Sequence, residues 1–192
     1  DVYQQIGFGL KMGSGFHGET KGIVIDWKKW YPVDQALMSY GYGISVSLFQ
    51  MIHAYTIFTN NGCLLPVTFN KLGANDKIPC EQVISPETAA TMRSILATTT
   101  EEGTGKNARV EDYTVAGKTG TAQILDGAHY SNSKHIGSFV GFAPAINPRI
   151  IVAVMIDQPT VGMYYGAQTA APVFAKIVQP TLHLLGVKPD KQ

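Results

Sequence analysis

Apolar residues recur at Leu48, Met51, Ile52, Tyr55 and Phe58, the spacing of one helix face. Phe49, Ala54 and Ile57 fill much of the other side. A helix that is apolar nearly all round belongs inside a domain. Ser47 and Gln50 fit a capping box at its start, and Asn61-Gly62 stops it. A second helix begins at Ser85-Pro86-Glu87, where Ser caps, Pro suits the first turn and Glu favours the positive end of the dipole. Met92, Ile95 and Leu96 give it an apolar stripe, and Gly103-Thr104-Gly105 ends it. A last helix is expected from Ala171 to Leu185, with Phe174, Ile177, Val178, Leu182 and Leu185 as its stripe. Pro180 removes a backbone donor and should kink it, and Gly186 and Pro189 close it.

Between the second and last helices the period changes. Tyr113 to Gln123 is a candidate strand. Ile136, Ser138, Val140 and Phe142 alternate with His135, Gly137, Phe139 and Gly141, so a second strand carries small residues on one face. Arg149 to Ile156 is a nearly unbroken Ile/Val run, which suits a central strand covered on both faces. Left unpaired, its edge would be a template for association with another chain or a swapped copy. The Ala143–Pro148 link is short, which favours antiparallel neighbours. Leu64–Phe69 and Lys77–Ile84 read as short strands or loops. The order predicts an α+β fold, an antiparallel sheet with helices packed on it.

Composition narrows the possibilities. The chain has 192 residues, 15 Lys+Arg against 14 Asp+Glu and 45% apolar residues. That permits one domain with a sizeable core. A net charge of +1 leaves no basic excess for nucleic acid. Two cysteines, Cys63 and Cys80, exclude a disulfide scaffold and a four-ligand zinc site. Gln35 to Asn70 holds no Asp, Glu, Lys or Arg and is long enough to span a bilayer. Its Gly, Ser, Gln, His and Asn residues favour a buried helix instead. The start, Asp1-Val2-Tyr3-Gln4-Gln5, has neither a signal pattern nor an initiator Met, so the sequence reads as a piece of a longer chain.

The candidate chemistry lies in Gly117-Lys118-Thr119-Gly120-Thr121. On a strand, Thr119 and Thr121 share a face and offer two hydroxyls to a carboxylate. Lys118 adds positive charge, Gly120 permits close approach to the backbone, and a neighbouring N–H can serve an oxyanion hole. A phosphate loop is excluded, because Asp112 stands where its first glycine belongs. The plainer reading is a Gly-rich turn with a solvated lysine. Lys-Thr-Gly on a strand is also one of three signatures of the penicillin-binding and β-lactamase group.

Four segments weigh on that choice. Gly103–Ala108 with Val115–Gln123, Ser39-Tyr40-Gly41-Tyr42-Gly43 with Gln50 and Tyr55, Phe139–Pro144, and Tyr164-Tyr165-Gly166 with Ala171–Phe174 lie in order along the chain. Together they resemble class B penicillin-binding proteins, most closely the division-specific transpeptidases. The resemblance implies the C-terminal part of one transpeptidase domain over residues 1–192. It implies transfer of an acyl group from a D-Ala-D-Ala stem peptide to a serine and then to an amine of a neighbouring peptidoglycan strand. β-Lactam antibiotics would trap that serine, and no metal or organic cofactor is required. Lys118, Thr119, Gly120 and Thr121 would be catalytic, Thr119 and Thr121 would bind substrate, and Tyr130, Tyr164 and Tyr165 would form an aromatic wall. Surface or core tyrosines are the plainer reading of the last three. The parent would be anchored in the inner membrane with its catalytic domain on the periplasmic side, beside division-complex membrane proteins.

One departure is decisive. The nucleophile motif Ser-x-x-Lys should lie upstream of Lys118, and none does; Ser-x-Asn is also missing. Ser131-Asn132-Ser133-Lys134 matches formally but sits where Gly127 and Asn132 predict a hairpin loop. The chain is therefore expected to carry one wall of a site whose nucleophile comes from the upstream part of the same domain. Two alternatives stay open: a β-lactamase or β-lactam sensor of the same fold, and a non-catalytic module that docks division partners. His17, His53, His129, His135 and His183 show no metal spacing, and His53 reads as a satisfied core residue. Glu101-Glu102 reads as solvated. Trp27 and Trp30, flanking Lys28 and Lys29, read as ordinary packing or a partner surface.

Overall fold

A computed structural model describes residues 2–73, 75–127, 129–160 and 162–191. The chain divides into two compact units, Asp1–Ser85 and Pro86–Gln192. The first contains α1 (Val2–Gln5), β1 (Ile23–Val24), α2 (Pro32–Ser39), β2 (Ile44–Ser45), α3 (Leu48–Thr59), β3 (Cys63–Leu64) and β4 (Glu81–Gln82). β1 pairs with β2 and β3 with β4, both antiparallel. The expected strands around residues 64–69 and 77–84 shrink to this last two-residue pair. α2 lacks an apolar stripe long enough to read; it is started by Pro32 and by Asp34, whose carboxylate accepts from the Tyr31 N–H at 2.8 Å.

The expected cap of α3 is present. The Gln50 N–H donates to Ser47 Oγ at 3.1 Å, and Gln50 Oε1 accepts from the Ser47 N–H at 2.9 Å. Gln50 is fully buried. Its Nε2 donates to the carbonyls of Gly7, Leu10 and Lys21 at 3.3, 3.1 and 3.0 Å. One amide thus caps a helix and fastens two loop segments. Around it Ile6, Phe8, Ala54, Ile57 and Leu64 form a small core. His53 is a buried core residue, as expected, and engages the Leu65 backbone, but its Nδ1 has no hydrogen-bond partner among the described residues. Burial pushes its imidazole below the usual range, because a charged ring there would lose its hydration.

Cys63 and Cys80 form a disulfide, which the sequence did not lead us to expect. Their separation of 17 residues carries no signal by itself, but the β3–β4 pairing brings their Cα atoms to 5.3 Å, within bridging range. No helix among the described residues is long and apolar enough to cross a membrane.

The second unit contains α4 (Pro86–Glu101), β5 (Ala116–Asp126), β6 (His129–Ala143), β7 (Ile150–Asp157) and α5 (Gly166–Leu184). The sheet is antiparallel, in the order β5-β6-β7. β7 is therefore an edge strand within this sheet, not the central strand its Ile/Val content suggested. Ile150, Val152, Val154 and Ile156 pack into the core beneath α5, while Met155 on the opposite face is exposed. The other face is partly covered, since Ile151 and Ala153 are half-buried beside the buried Phe142 and Val140. Ser131–Lys134 lies on β6 rather than in a hairpin loop, with Lys134 paired to Asp126 at 2.7 Å. The register shifts between Gln123 and Leu125, and the turn falls at Gly127, so that residues 131–134 belong to the strand that follows it.

α5 begins five residues earlier than Ala171, and the reason lies on β6. A Cβ on Gly137 would meet Thr169 Oγ1 at 2.3 Å, and one on Gly166 would meet the carbonyls of Gly120 and Ser138 at 2.3 Å. Two glycines thus let the first turn of α5 lie directly on the β5–β6 backbone. Further along, Ala170, Ala171, Phe174, Val178 and Leu182 are buried, whereas Ile177 and Leu185 of the expected stripe are exposed. Phe174 meets Phe139 edge-on at 4.7 Å. In α4 the buried line is Ala89, Leu96 and Thr100, and Ile95 is exposed. Thr100 belongs inside because its hydroxyl donates to the Val115 carbonyl at 2.5 Å.

Candidate active-site wall

The register of β5 on β6 determines what each residue of the Lys-Thr-Gly segment faces. Thr119 lies opposite Phe139 and Thr121 opposite Gly137, so both hydroxyls share the α5 face of the sheet. Lys118 lies opposite Val140 and Gly120 opposite Ser138, on the other face. β5 is the other edge of the sheet. The Gly117 and Val115 carbonyls point away from β6, since Thr99 and Thr100 of α4 donate to them. Strand alternation places the main-chain groups of Thr119 and Thr121 on that same outer edge. α4 thus covers the beginning of the edge, and the backbone beside the two threonines follows it.

A cavity of about 230 Å³ opens there, lined by Thr104, Thr119, Thr121, Tyr165, Ala167 and Gln168. The Thr104 and Thr119 hydroxyl oxygens are 2.9 Å apart. Thr121 Oγ1 accepts from the Gly166 N–H at 3.1 Å, which ties the strand to the first turn of α5. The Lys118 ammonium curls over the edge, donating to the Thr119 carbonyl at 3.0 Å and approaching Thr119 Oγ1 at 3.5 Å. Three hydroxyls, an ammonium and the positive end of a helix make a surface suited to a carboxylate. Gly120 serves packing here: a Cβ would meet Ser138 Oγ at 2.5 Å.

Of the three candidate tyrosines, Tyr165 lines this cavity. Tyr164 stands beside it, with ring centroids 4.4 Å apart, and its hydroxyl donates to that of Tyr165 at 3.1 Å. That hydrogen bond holds the proton and raises the Tyr164 pKa. Tyr130 lies opposite Leu125 near the hairpin end and is not among the residues lining the cavity. Thr104 and Gln168 join the lining without having been candidates. Gly103-Thr104-Gly105 read as a helix stop, and Gln168 preceded the expected start of α5. Ser131 Oγ accepts from the Lys134 N–H at 3.1 Å on a strand, so the pair lacks the one-turn helical spacing that brings a serine and lysine together.

An antiparallel sheet flanked by helices, with Lys-Thr-Gly on its edge strand, is the arrangement of the penicillin-recognising folds. The chain belongs to the penicillin-binding protein transpeptidase domain family, whose model matches residues 1–179. It is 46% identical over 192 residues to the probable peptidoglycan D,D-transpeptidase PenA of Neisseria flavescens, covering 100% of this chain and 48% of that protein. The protein of the same name from Neisseria meningitidis serogroup A is 44% identical, with 33% of its length covered. The apo structure of the TP domain from Burkholderia pseudomallei penicillin-binding protein 3 superposes with a TM-score of 0.94 at 44% identity, over 100% of this chain and 58% of that one. The chain thus spans from a third to about half of these curated relatives.

Proposed function

We propose that this chain forms the carboxylate-recognising wall of a class B peptidoglycan D,D-transpeptidase. The observation that carries the reading is the convergence of the Thr104, Thr119 and Thr121 hydroxyls beneath Tyr165, with Lys118 at the strand edge. The terminal carboxylate of a D-Ala-D-Ala stem peptide accepts from Thr119 and Thr121, and the Lys118 charge offsets its own. The peptide backbone then lies along the outer edge of β5. A serine from the upstream part of the domain attacks the carbonyl between the two D-alanines. An N–H of that edge stabilises the developing oxyanion. The C–N bond breaks, D-alanine leaves with the proton of the serine hydroxyl, and the acyl group stays on the serine as an ester. An amine of a neighbouring strand then attacks that ester, the C–O bond breaks and the amine's proton returns to the serine oxygen. β-Lactams imitate the donor end and occupy the same wall.

The periplasmic face of the inner membrane is the proposed location. The Cys63–Cys80 disulfide supports it, because such bonds persist in oxidising compartments. The Gly-Tyr-Gly and Tyr-Tyr-Gly segments support a role in division, with division-complex membrane proteins as partners.

The test is Lys118→Ala in the full-length protein. Loss of a charge-assisted contact costs about 1.5–3 kcal/mol, so acylation by a reporter β-lactam should slow about ten- to a hundredfold. The melting curve should hold, because an exposed lysine supplies little packing. Thr119→Val should do less, since Thr121 remains. An unchanged acylation rate for Lys118→Ala would remove the assignment.

A further inference from the structure

Tyr165 belongs to a segment with little regular structure of its own. Residues 158–165, leading from β7 into α5, form neither helix nor strand among the described positions. The Tyr165 backbone is held at the start of α5, where its carbonyl accepts from the Gln168 and Thr169 N–H groups at 2.8 and 3.1 Å, but these bonds leave the direction of its ring over the threonine cavity to other contacts. Tyr164 touches Tyr165 on one side and stacks on His135 on the other, with centroids 4.1 Å apart and planes 21° from parallel. The three rings form a column that starts on the sheet and ends at the cavity.

His135 has the rigidity its neighbours lack. It sits within β6, opposite Gln123 of β5, and its carbonyl accepts from the Gln158 N–H at 2.9 Å. Its side chain shares a strand face with Gly137 and Phe139. A Cβ on Gly137 would lie 3.1 Å from the Tyr164 carbonyl, so that glycine seats the Tyr164 backbone directly on β6. The ring stack above and the glycine seat below fix Tyr164 from two directions.

We infer that His135 is a positioning residue for the ligand wall. Through Tyr164 it sets the place of Tyr165 over the Thr104–Thr119–Thr121 cavity. The role is one of shape: an aromatic ring at position 135 suffices, and a proton on it is not required. The inference rests on the reading of this cavity as a transpeptidase donor site. His135 touches none of the reacting atoms, so its loss should weaken retention of the ligand before acylation and leave the bond-making step nearly unchanged.

The experiment uses the full-length protein with His135→Ala and His135→Phe. Stopped-flow acylation with a reporter β-lactam separates the dissociation constant of the initial complex from the acylation rate constant. His135→Ala should raise the dissociation constant about three- to tenfold, the worth of one aromatic stack, and change the rate constant less than about twofold. His135→Phe should restore wild-type retention. Equal retention in wild type and His135→Ala overturns the inference, as does a Phe variant as weak as the Ala variant. The stack itself is read without ligand, from a ring-current shift of the His135 proton resonances that Tyr164→Ala abolishes. Absence of that shift in the wild type also overturns the inference. A wild type that shows the shift but forms no β-lactam adduct instead sinks the transpeptidase reading.

Discussion

The two units reach order by different means. In residues 86–192 a three-stranded sheet meets a long helix, and Tyr113, Phe139, Phe174 and Leu182 are wholly buried between them. Among the described residues of 1–85 there are two strand pairs, each strand two residues long, and a core of Ile6, Phe8, Ala54, Ile57 and Leu64. Phe16, Trp27, Tyr31, Tyr40 and Phe69 remain exposed there. What the first unit lacks in apolar burial is met by polar and covalent links: the buried Gln50 amide and the Cys63–Cys80 bond. Layered packing holds the threonine cavity to a fixed geometry, because sheet and helix leave little room for alternatives. Links between loops fix a chain path without needing a large core.

The largest expected effect lies in the layered unit. Phe174 is fully buried and meets Phe139 edge-on. Phe174→Ala should cost about 3–5 kcal/mol, from lost transfer energy and the cavity left behind. Hydrogen exchange of β6 amides measures it. A loss below about 1 kcal/mol would mean that the α5–sheet layer collapses readily, and would weaken the contrast between the units.

The layered unit was also the more legible in the sequence. Alternation along His135–Phe142 and the Phe174, Val178, Leu182 spacing are periodic signals, and periodic burial produced them. The elements misread were those whose burial depends on what approaches them. The Ile/Val run of β7 could not show that the strand lies at the end of this sheet. The first turn of α5 is polar and small, and it is helical because Gly137 and Gly166 admit it to the sheet. In the first unit, the Ser47–Gln50 cap was legible because it is local. The inward half of Gln50 was not, because its partners Gly7, Leu10 and Lys21 are backbone carbonyls that no residue type announces. The same holds for the cavity: Thr119 and Thr121 carry a local motif, whereas Thr104 and Gln168 reach the lining only through the fold.

Next in size is the covalent link. The disulfide closes a loop with ends 17 residues apart. Cys63→Ser should cost about 3 kcal/mol, chiefly by freeing the unfolded chain. Protection of the amides around Cys63–Leu64 and Glu81–Gln82, followed with and without reductant, reports the loss. Reductant should lower it in the wild type and leave the variant unchanged. Equal protection in both would show that the two-residue strand pair holds the loop unaided.

The smallest effect, and the one that separates polar linking from ordinary capping, concerns Gln50. Gln50→Met keeps the length and volume of the side chain, so little cavity term arises. It removes the acceptor for the Ser47 N–H and the donor for the Gly7, Leu10 and Lys21 carbonyls. A buried group left without its partner costs about 1–3 kcal/mol, but loop carbonyls regain part of that by turning toward water. The net cost should be about 2 kcal/mol. Ser47→Ala gives the reference, because it removes the outward half of the cap alone and should cost about 1 kcal/mol. Denaturant midpoints for the two variants supply the comparison, together with protease sensitivity of residues 7–21. Gln50→Met should lower the midpoint further and expose that segment to cleavage, whereas Ser47→Ala should leave the segment protected. If the two variants match in both measurements, the buried amide does no more than cap α3, and the Gly7, Leu10 and Lys21 segments must owe their path to the small apolar core.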